Sequence, residues 1–491
     1  MREPLLTAAC DSRCATFCSC SSKGLGSVPQ DLPMDIISLD LQENGISVLS
    51  QSDFSRYTKL QHLILNTNKI ANIRSGQFLS LPGLKTLSLY HNKITKIPPG
   101  AFSGLPQLQT LYLFFNKITI IQSDAFVGLA QLNCLYLFSN DISNIQYDAF
   151  SHLPQLKQLY LYNNKITNIQ PGILSNLSQL KDLDLSRNQI TGIMTGVFSN
   201  LAKLQNLNLN SNQITEIESG TFLGLPKLKI LALSNNSITN IYPGALSAFS
   251  DLHKLINLDL SYNQIRNIQS GAFSGLSRLE RLSLSFNRIV DVQIGSFSHF
   301  NQLQRLSLDN NLMKVVPSYN ELSPIPRVDL YNNSWQCDCR MAPFKQNISE
   351  SRSLVKQILC EGPGKFVGQK LEFINPADLV VCKEPKIVSF EQVERNTFEQ
   401  GETFVLVCRA SGIPTPYITI ILPSGRNVTP DSDGRLTEDA KGAAFTREVT
   451  ASNAGLYVCV ASNFVGLPLL HYLLVFEAQH QFPLNPHLPH C

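Results

Sequence analysis

Charge is scarce in this sequence. Asp, Glu, Lys and Arg make up 16% of its 491 residues, against roughly a quarter in an ordinary soluble domain. The 40 basic and 37 acidic side chains nearly cancel, leaving +3, so no strong field of either sign would draw in nucleic acid or an anionic bilayer. Tryptophan occurs once. No apolar run approaches the ~18 residues that a membrane-spanning helix needs, so no membrane span is expected in this chain. The sequence also lacks a phosphate-cradling glycine loop, a Gly-x-Ser-x-Gly elbow and a His-Glu-x-x-His helix, the signatures of several large enzyme classes. The expectation is a protein that is not an enzyme and that carries no cofactor and no metal.

Two residue types are in excess: 71 leucines and 39 asparagines. They fall in a frame of Leu, two residues, Leu, one residue, Leu, two residues, Asn. It starts at Ile36, Leu60, Leu84, Leu108, Leu132, Leu156, Leu180, Leu204, Leu228, Leu255, Leu279, Leu303 and Ile325. Ten of the twelve steps are 24 residues, the step from Leu228 to Leu255 is 27 and the last is 22. In each frame the middle residues read as a short strand that points Leu63 and Leu65, for example, inward and Ile64 outward. One such unit cannot bury its own leucines, so neighbours must stack. The recurrent asparagines, from Asn44 and Asn68 to Asn333, read as buried amides bonded to backbone. A second spine runs through Phe54, Phe78, Phe102, Phe126, Phe150, Phe198, Phe222, Phe273 and Phe297, with Leu174 and Leu246 expected in the same slot.

This frame is that of the leucine-rich repeat, in the 24-residue form of extracellular proteins. The resemblance implies an α/β-type solenoid over residues 36–335, with a parallel concave β-sheet, an irregular convex side and disulfide caps at both ends. Residues 1–35 would hold an N-terminal segment and cap, and 336–383 the C-terminal cap. Twelve cysteines clustered at the ends suit an oxidising compartment. Zinc is the competing reading, and the one-residue gaps at Cys18/Cys20 and Cys337/Cys339 fit it poorly. The family pattern implies Cys10 with Cys18, Cys14 with Cys20, Cys337 with Cys360 and Cys339 with Cys382, and a buried Trp335. Met1–Ala9 is too short for a secretory leader, so a leader is expected to have been removed or to be missing from the sequence.

After residue 383 the frame stops. Residues 384–477 alternate apolar strands with Gly/Pro turns at the length of one β-sandwich. Cys408 and Cys459, with Tyr457 two residues before the second, fit an all-β immunoglobulin-like domain. Ile413-Pro414-Thr415-Pro416 resembles its intermediate-type sets, and Ile420 stands where the core tryptophan is expected. The tail, 478–491, reads as a flexible terminus, with a metal reading of His480, His487, His490 and Cys491 as the alternative.

Candidate binding residues lie on the variable positions of the concave face. Tyr112, Tyr136 and Tyr160 share one slot, and Tyr90, Phe114, Phe138 and Tyr162 another, with Phe115 beside them. Two aromatic ladders across four strands suit ligand contact; shielding of the strands is the alternative. Arg281, Arg305 and Arg327 fall in one slot of the last three frames. They read as a guanidinium ladder for an acidic partner or glycan, or as a surface neutralised by Glu280, Asp309 and Asp329. The extra residues within Ala245–Leu255 read as a contact loop or as drift. Cys134 reads as a small apolar filler or a reactive thiol, too far from His62 for a dyad, and Cys491 as a link between chains.

Glycosylation sequons at Asn176, Asn235, Asn332, Asn347 and Asn427 point to secretion. None is expected on the aromatic frames, and glycans on Asn235 and Asn332 are expected to favour the aromatic patch over the arginines. The combination of solenoid and one immunoglobulin domain resembles neuronal adhesion and guidance receptors. The solenoid is similar to variable lymphocyte receptors and Toll-like receptors, and the order of domains to the start of the matrix enzyme peroxidasin. It implies an extracellular protein, secreted or the ectodomain of a cell-surface receptor, that binds a protein or microbial surface ligand, with a disulfide-linked or concave-face homodimer as a further possibility.

Overall fold

The computed structural model describes residues 10, 14–218, 220–239, 249, 252–346, 353–379, 382–393, 403–429, 436–439, 442–448, 455–463 and 469–475. Asn347, Leu246 and the tail with Cys491 lie outside them. The chain divides into two compact units, Met1–Trp335 and Gln336–Cys491.

In the first unit every frame contributes a three-residue strand to one parallel sheet of fourteen. Thirteen come from the frames, from Ser38–Asp40 to Arg327–Asp329, and the fourteenth, Phe17–Ser19, from the N-terminal segment. The register is unbroken: Leu39, Leu63, Leu87 and Leu111 stand in one row. Their side chains are fully buried while the flanking positions, Ser88 apart, stay partly exposed, the alternation of a strand with one face in a core. Each leucine withdrawn from water contributes roughly 2 kcal/mol. Among the described residues helices are short, and the convex side is built of turns and small two-stranded pairings such as Ile120–Ile121 with Asn144–Ile145.

The asparagines couple each frame to the one before it. Asn68 Nδ2 donates to Leu41 O of the preceding frame at 2.9 Å and to Leu65 O of its own at 3.1 Å. Its Oδ1 accepts from the Ile46 amide, again of the preceding frame, at 3.1 Å. The pattern continues to Asn333, whose amide donates to Leu308 O and accepts from Met313 N. To bring each amide inward, the residue before it turns into the left-handed region: φ is 54° at Thr67, 53° at His91, 51° at Phe115, 54° at Tyr262 and 55° at Phe286. For β-branched or bulky residues that conformation is costly and must be imposed by its surroundings. Here the N–H of the bent residue is held by the next frame, Thr67 N to Tyr90 O at 3.0 Å and Tyr262 N to Ser285 O at 2.9 Å.

On the convex side Phe78, Phe102, Phe126 and Phe150 stack with centroids 5.9–6.3 Å apart. The long frame corrects the expected spine. Phe249 rather than Leu246 fills the slot, stacked on Phe222 at 5.8 Å. Asn263 bonds Ile238 N in the usual way. The three extra residues therefore fall between Ile238 and Phe249, before most of the expected Ala245–Leu255 span, and leave the strand register intact; residues 240–248 lie outside the described ones.

The N-terminal disulfides also differ from the family pattern. Cys10 pairs with Cys20 and Cys14 with Cys18, at Cα separations of 4.9 and 5.2 Å. Cys18 and Cys20 lie two apart on an extended run, so both side chains point inward, and both are buried. The shorter ring closes inside the longer one. With a single residue between the third and fourth cysteines, this chain lacks the family spacing on which the crossed pairing rests.

At the end of this unit Trp335 is fully buried and its Nε1 donates to Leu330 O. In the second unit Cys337 pairs with Cys360 and Cys339 with Cys382, followed by two four-stranded antiparallel sheets. One is ordered Lys383–Val393, Thr403–Ile413, Gly442–Glu448, Leu436–Asp439; the other Asn427–Val428, Tyr417–Ile421, Gly455–Ser462, Leu469–Val475. Cys408 and Cys459 join the sheets within a core that includes Phe390, Leu406, Phe445 and Tyr457. Ile420 is fully buried and stands directly across from Cys459, so a branched aliphatic chain lies beside the disulfide where the sequence reading looked for tryptophan.

Candidate ligand-binding face

The concave sheet carries both predicted aromatic ladders. Ser88, Tyr112, Tyr136, Tyr160 and Asp184 are successive partners across five strands. Tyr112 stacks on Tyr136 with centroids 4.8 Å apart, and Tyr136 on Tyr160 at 5.1 Å. In the parallel row Tyr90, Phe114, Phe138 and Tyr162 stack at 4.3, 4.4 and 4.3 Å. Tyr112 meets Phe114 edge to face, so the two rows form one surface. The rings are half-buried against one another, with one side to solvent. Phe115, on the left-handed row, is 51% exposed and lies edge-on to Phe114 and Phe138. His91 packs edge-on to Phe115; Phe115 stood out by its own ring, but the position before each asparagine was not followed from frame to frame, so His91 was missed.

Electrically the patch is neutral. Burial, reinforced by Cys134, Tyr112 and Tyr160, pushes the Tyr136 phenol up to about 12. Burial likewise raises Tyr112, Tyr160 and Tyr162, with Asp182 adding at Tyr160 and Asp184 at Tyr162. The Cys134 thiol is raised by burial too, partly offset by its hydrogen bond with Tyr136 and by Lys157; it donates to Gln158 Oε1 at 3.1 Å. A folded pKa above the free phenol value means that the Tyr136 proton favours the fold below pH ~10, and that this contribution is lost as pH climbs toward 12. In urea titrations the parent is expected to lose more stability between pH about 9 and about 11.5 than Tyr136→Phe. Equal losses would show that Tyr136 is not strained against ionisation.

The arginine slot is less uniform. Arg281, Arg305 and Arg327 are in register, but Asp329 ties down two of them, Arg305 through Nε at 3.1 Å and Nη2 at 2.9 Å and Arg327 at 3.4 Å. Asp309 instead accepts from Ser285 and Asn310. Arg281 has no ion pair among the described residues. Beside it the left-handed row sets Tyr262 on Phe286, centroids 4.3 Å apart; neither was singled out from the sequence, for the same reason as His91.

Of the sequons, Asn176 does lie in the frame that starts at Leu156, but it is exposed on the convex side, well past the strand. Asn235 and Asn332 occupy the left-handed row, bonded to Ser211 and Asn310, and Asn427 is exposed in the second unit.

Six overlapping stretches between residues 58 and 328 match the leucine rich repeat model, and residues 384–463 match an immunoglobulin domain model. The chain belongs to the leucine-rich repeat family. Among curated relatives, the mouse leucine-rich repeat and immunoglobulin-like domain-containing nogo receptor-interacting protein 2 is 30% identical over 142 residues, 28% of this chain and 23% of the relative. The human peroxidasin homolog is 36% identical over 138 residues, 28% of this chain and 9% of its own length. This leucine-rich repeat chain thus matches less than a quarter of either. In fold it is similar to a leucine-rich repeat protein of Leptospira interrogans, with a TM-score of 0.58 and 26% identity over 71% of this chain and 84% of that one. It is also similar to Drosophila Toll in its complex with Spätzle, with a TM-score of 0.60 and 22% identity over 80% of this chain and 57% of that one.

Proposed function

We propose that this leucine-rich repeat protein is a non-catalytic extracellular recognition molecule that binds a protein or microbial surface ligand on the aromatic ladders, in the service of innate immunity. The single observation that carries this reading is the ladder itself, a neutral, pre-stacked, half-exposed surface four strands wide. Stacked rings have already given up their rotamer freedom, so a ligand gains aromatic contact at small entropic cost. Five disulfides and the exposed sequons support an extracellular setting. A second reading, an adhesion or guidance ectodomain, is favoured by the relative named for interaction with the nogo receptor. The binding portion of a peroxidasin-like enzyme is a third, favoured by the peroxidasin homolog match.

Replacing Tyr112, Phe114, Tyr136 and Tyr160 together by alanine is expected to weaken binding to microbial cells or to cell-surface proteins by roughly tenfold or more. Phe115→Asn is the companion variant, because asparagine tolerates the left-handed backbone and the fold is kept. Unchanged affinity in both variants for every ligand found would sink the assignment. Microbial binding alone would separate the immune reading from the adhesion one.

A further inference from the structure

A second surface lies on the late repeats, away from the ladders. It is an open groove of about 380 Å³ on the concave side of the frames from Leu255 to Leu303, at the small end of ligand sites. Its rim is the stacked pair Tyr262 and Phe286, 53% and 43% exposed. Its floor holds Asn257, Asp259, Arg281 and Arg305. Asp259 uses Oδ1 to accept from the Ser261 amide and hydroxyl, at 3.0 and 2.6 Å. Its other oxygen has no hydrogen-bond partner among the described residues. Arg305 is held by Asp329, which leaves the Arg281 guanidinium as the uncommitted donor.

From this set we infer that the groove is a subsite for an uncharged pyranose sugar. The amide, the carboxylate and the guanidinium are planar groups that donate or accept in pairs and match vicinal hydroxyls. The flat Tyr262–Phe286 pair offers an apolar platform to the C–H face of the ring. Charge decides between neutral and acidic sugars. Asp259 and Asp309 offset Arg281 and Arg305 around the groove, and Arg305 is also held by Asp329, so the groove offers an entering carboxylate no net positive charge. The sugar has two sources. One is a glycan on another molecule. The other is this chain's own N-glycan at Asn235, which occupies the same left-handed row one strand before Tyr262 and donates its backbone N–H to Ser261 O.

The test is an array of oligosaccharides ending in glucose, mannose, galactose or N-acetylglucosamine, with sialylated counterparts, probed with the whole chain and its Asn235→Gln variant. Neutral saccharides are expected to bind, and Tyr262→Asn or Arg281→Ala to weaken them roughly tenfold. Tyr262→Asn keeps a residue that accepts the left-handed backbone, and Arg281 has no ion pair to lose among the described residues. Binding by both forms identifies an external glycan; binding only after Asn235→Gln identifies the chain's own. The ladder variants leave this binding unchanged, so the two sites stand or fall separately. No neutral saccharide bound by the Asn235→Gln chain, binding confined to sialylated sugars, or affinity indifferent to both substitutions overturns the assignment.

Discussion

Asn140→Ala is expected to lower the stability of the solenoid by roughly 3 kcal/mol or more. The side chain makes four bonds: Nδ2 to Leu113 O and Leu137 O at 3.0 Å and to Phe138 O at 3.4 Å, and Oδ1 from Ile118 N at 3.1 Å. The carbonyls of Leu113 and Leu137 keep a second donor in Asn116 and Asn164. Among the described residues the Ile118 amide keeps none. A buried N–H without a partner costs about 1–3 kcal/mol, and each lost bond adds about 1. Because the amide spans two frames, the loss falls on the coupling between them. Urea unfolding followed by circular dichroism measures the total, and hydrogen exchange should show the Ile118 amide losing protection first. A loss below about 1 kcal/mol would mean that water replaces the side chain.

The second large effect is expected from replacing Cys408 and Cys459 together by alanine. The two residues are 51 apart, and a closed loop of that length restricts the unfolded chain by about 4 kcal/mol. In the core Ile420, and not a tryptophan, stands beside the disulfide, with Phe390, Phe445 and Tyr457 as the aromatic residues that remain to hold the sheets when the cross-link is gone. Unfolding of the second unit is expected to move to markedly lower urea while the solenoid transition stays in place. An unmoved transition would show that burial, rather than the cross-link, holds the two sheets.

The solenoid was legible because its signal is repeated thirteen times: period, inward leucines and buried asparagines each follow from strand alternation and stacking. Tyr112 and Phe114 could be placed on one face by counting from Leu108 alone. Three features were not legible. The Cys10–Cys20 and Cys14–Cys18 pairing was missed because the family's crossed pattern was carried over to a chain with a single residue between its third and fourth cysteines. Phe249 was missed because an insertion has no address until register is seen. His91, Tyr262 and Phe286 were missed because, although Phe115 was noticed beside the ladders, no single frame reveals that the residue before each asparagine is left-handed and set at the rim of the sheet.

That row has a consequence for how such a surface can change over generations. From Glu43 to Asn332 it accepts Thr, His, Phe, Ser, Asn, Arg and Tyr at nearly the same φ, between 51° and 56°. The backbone there is fixed by the next frame and by the buried asparagine, not by the side chain it displays. Selection can therefore exchange one rim residue for another without renegotiating the core, and the thirteen positions behave as an alphabet written along the edge of the sheet.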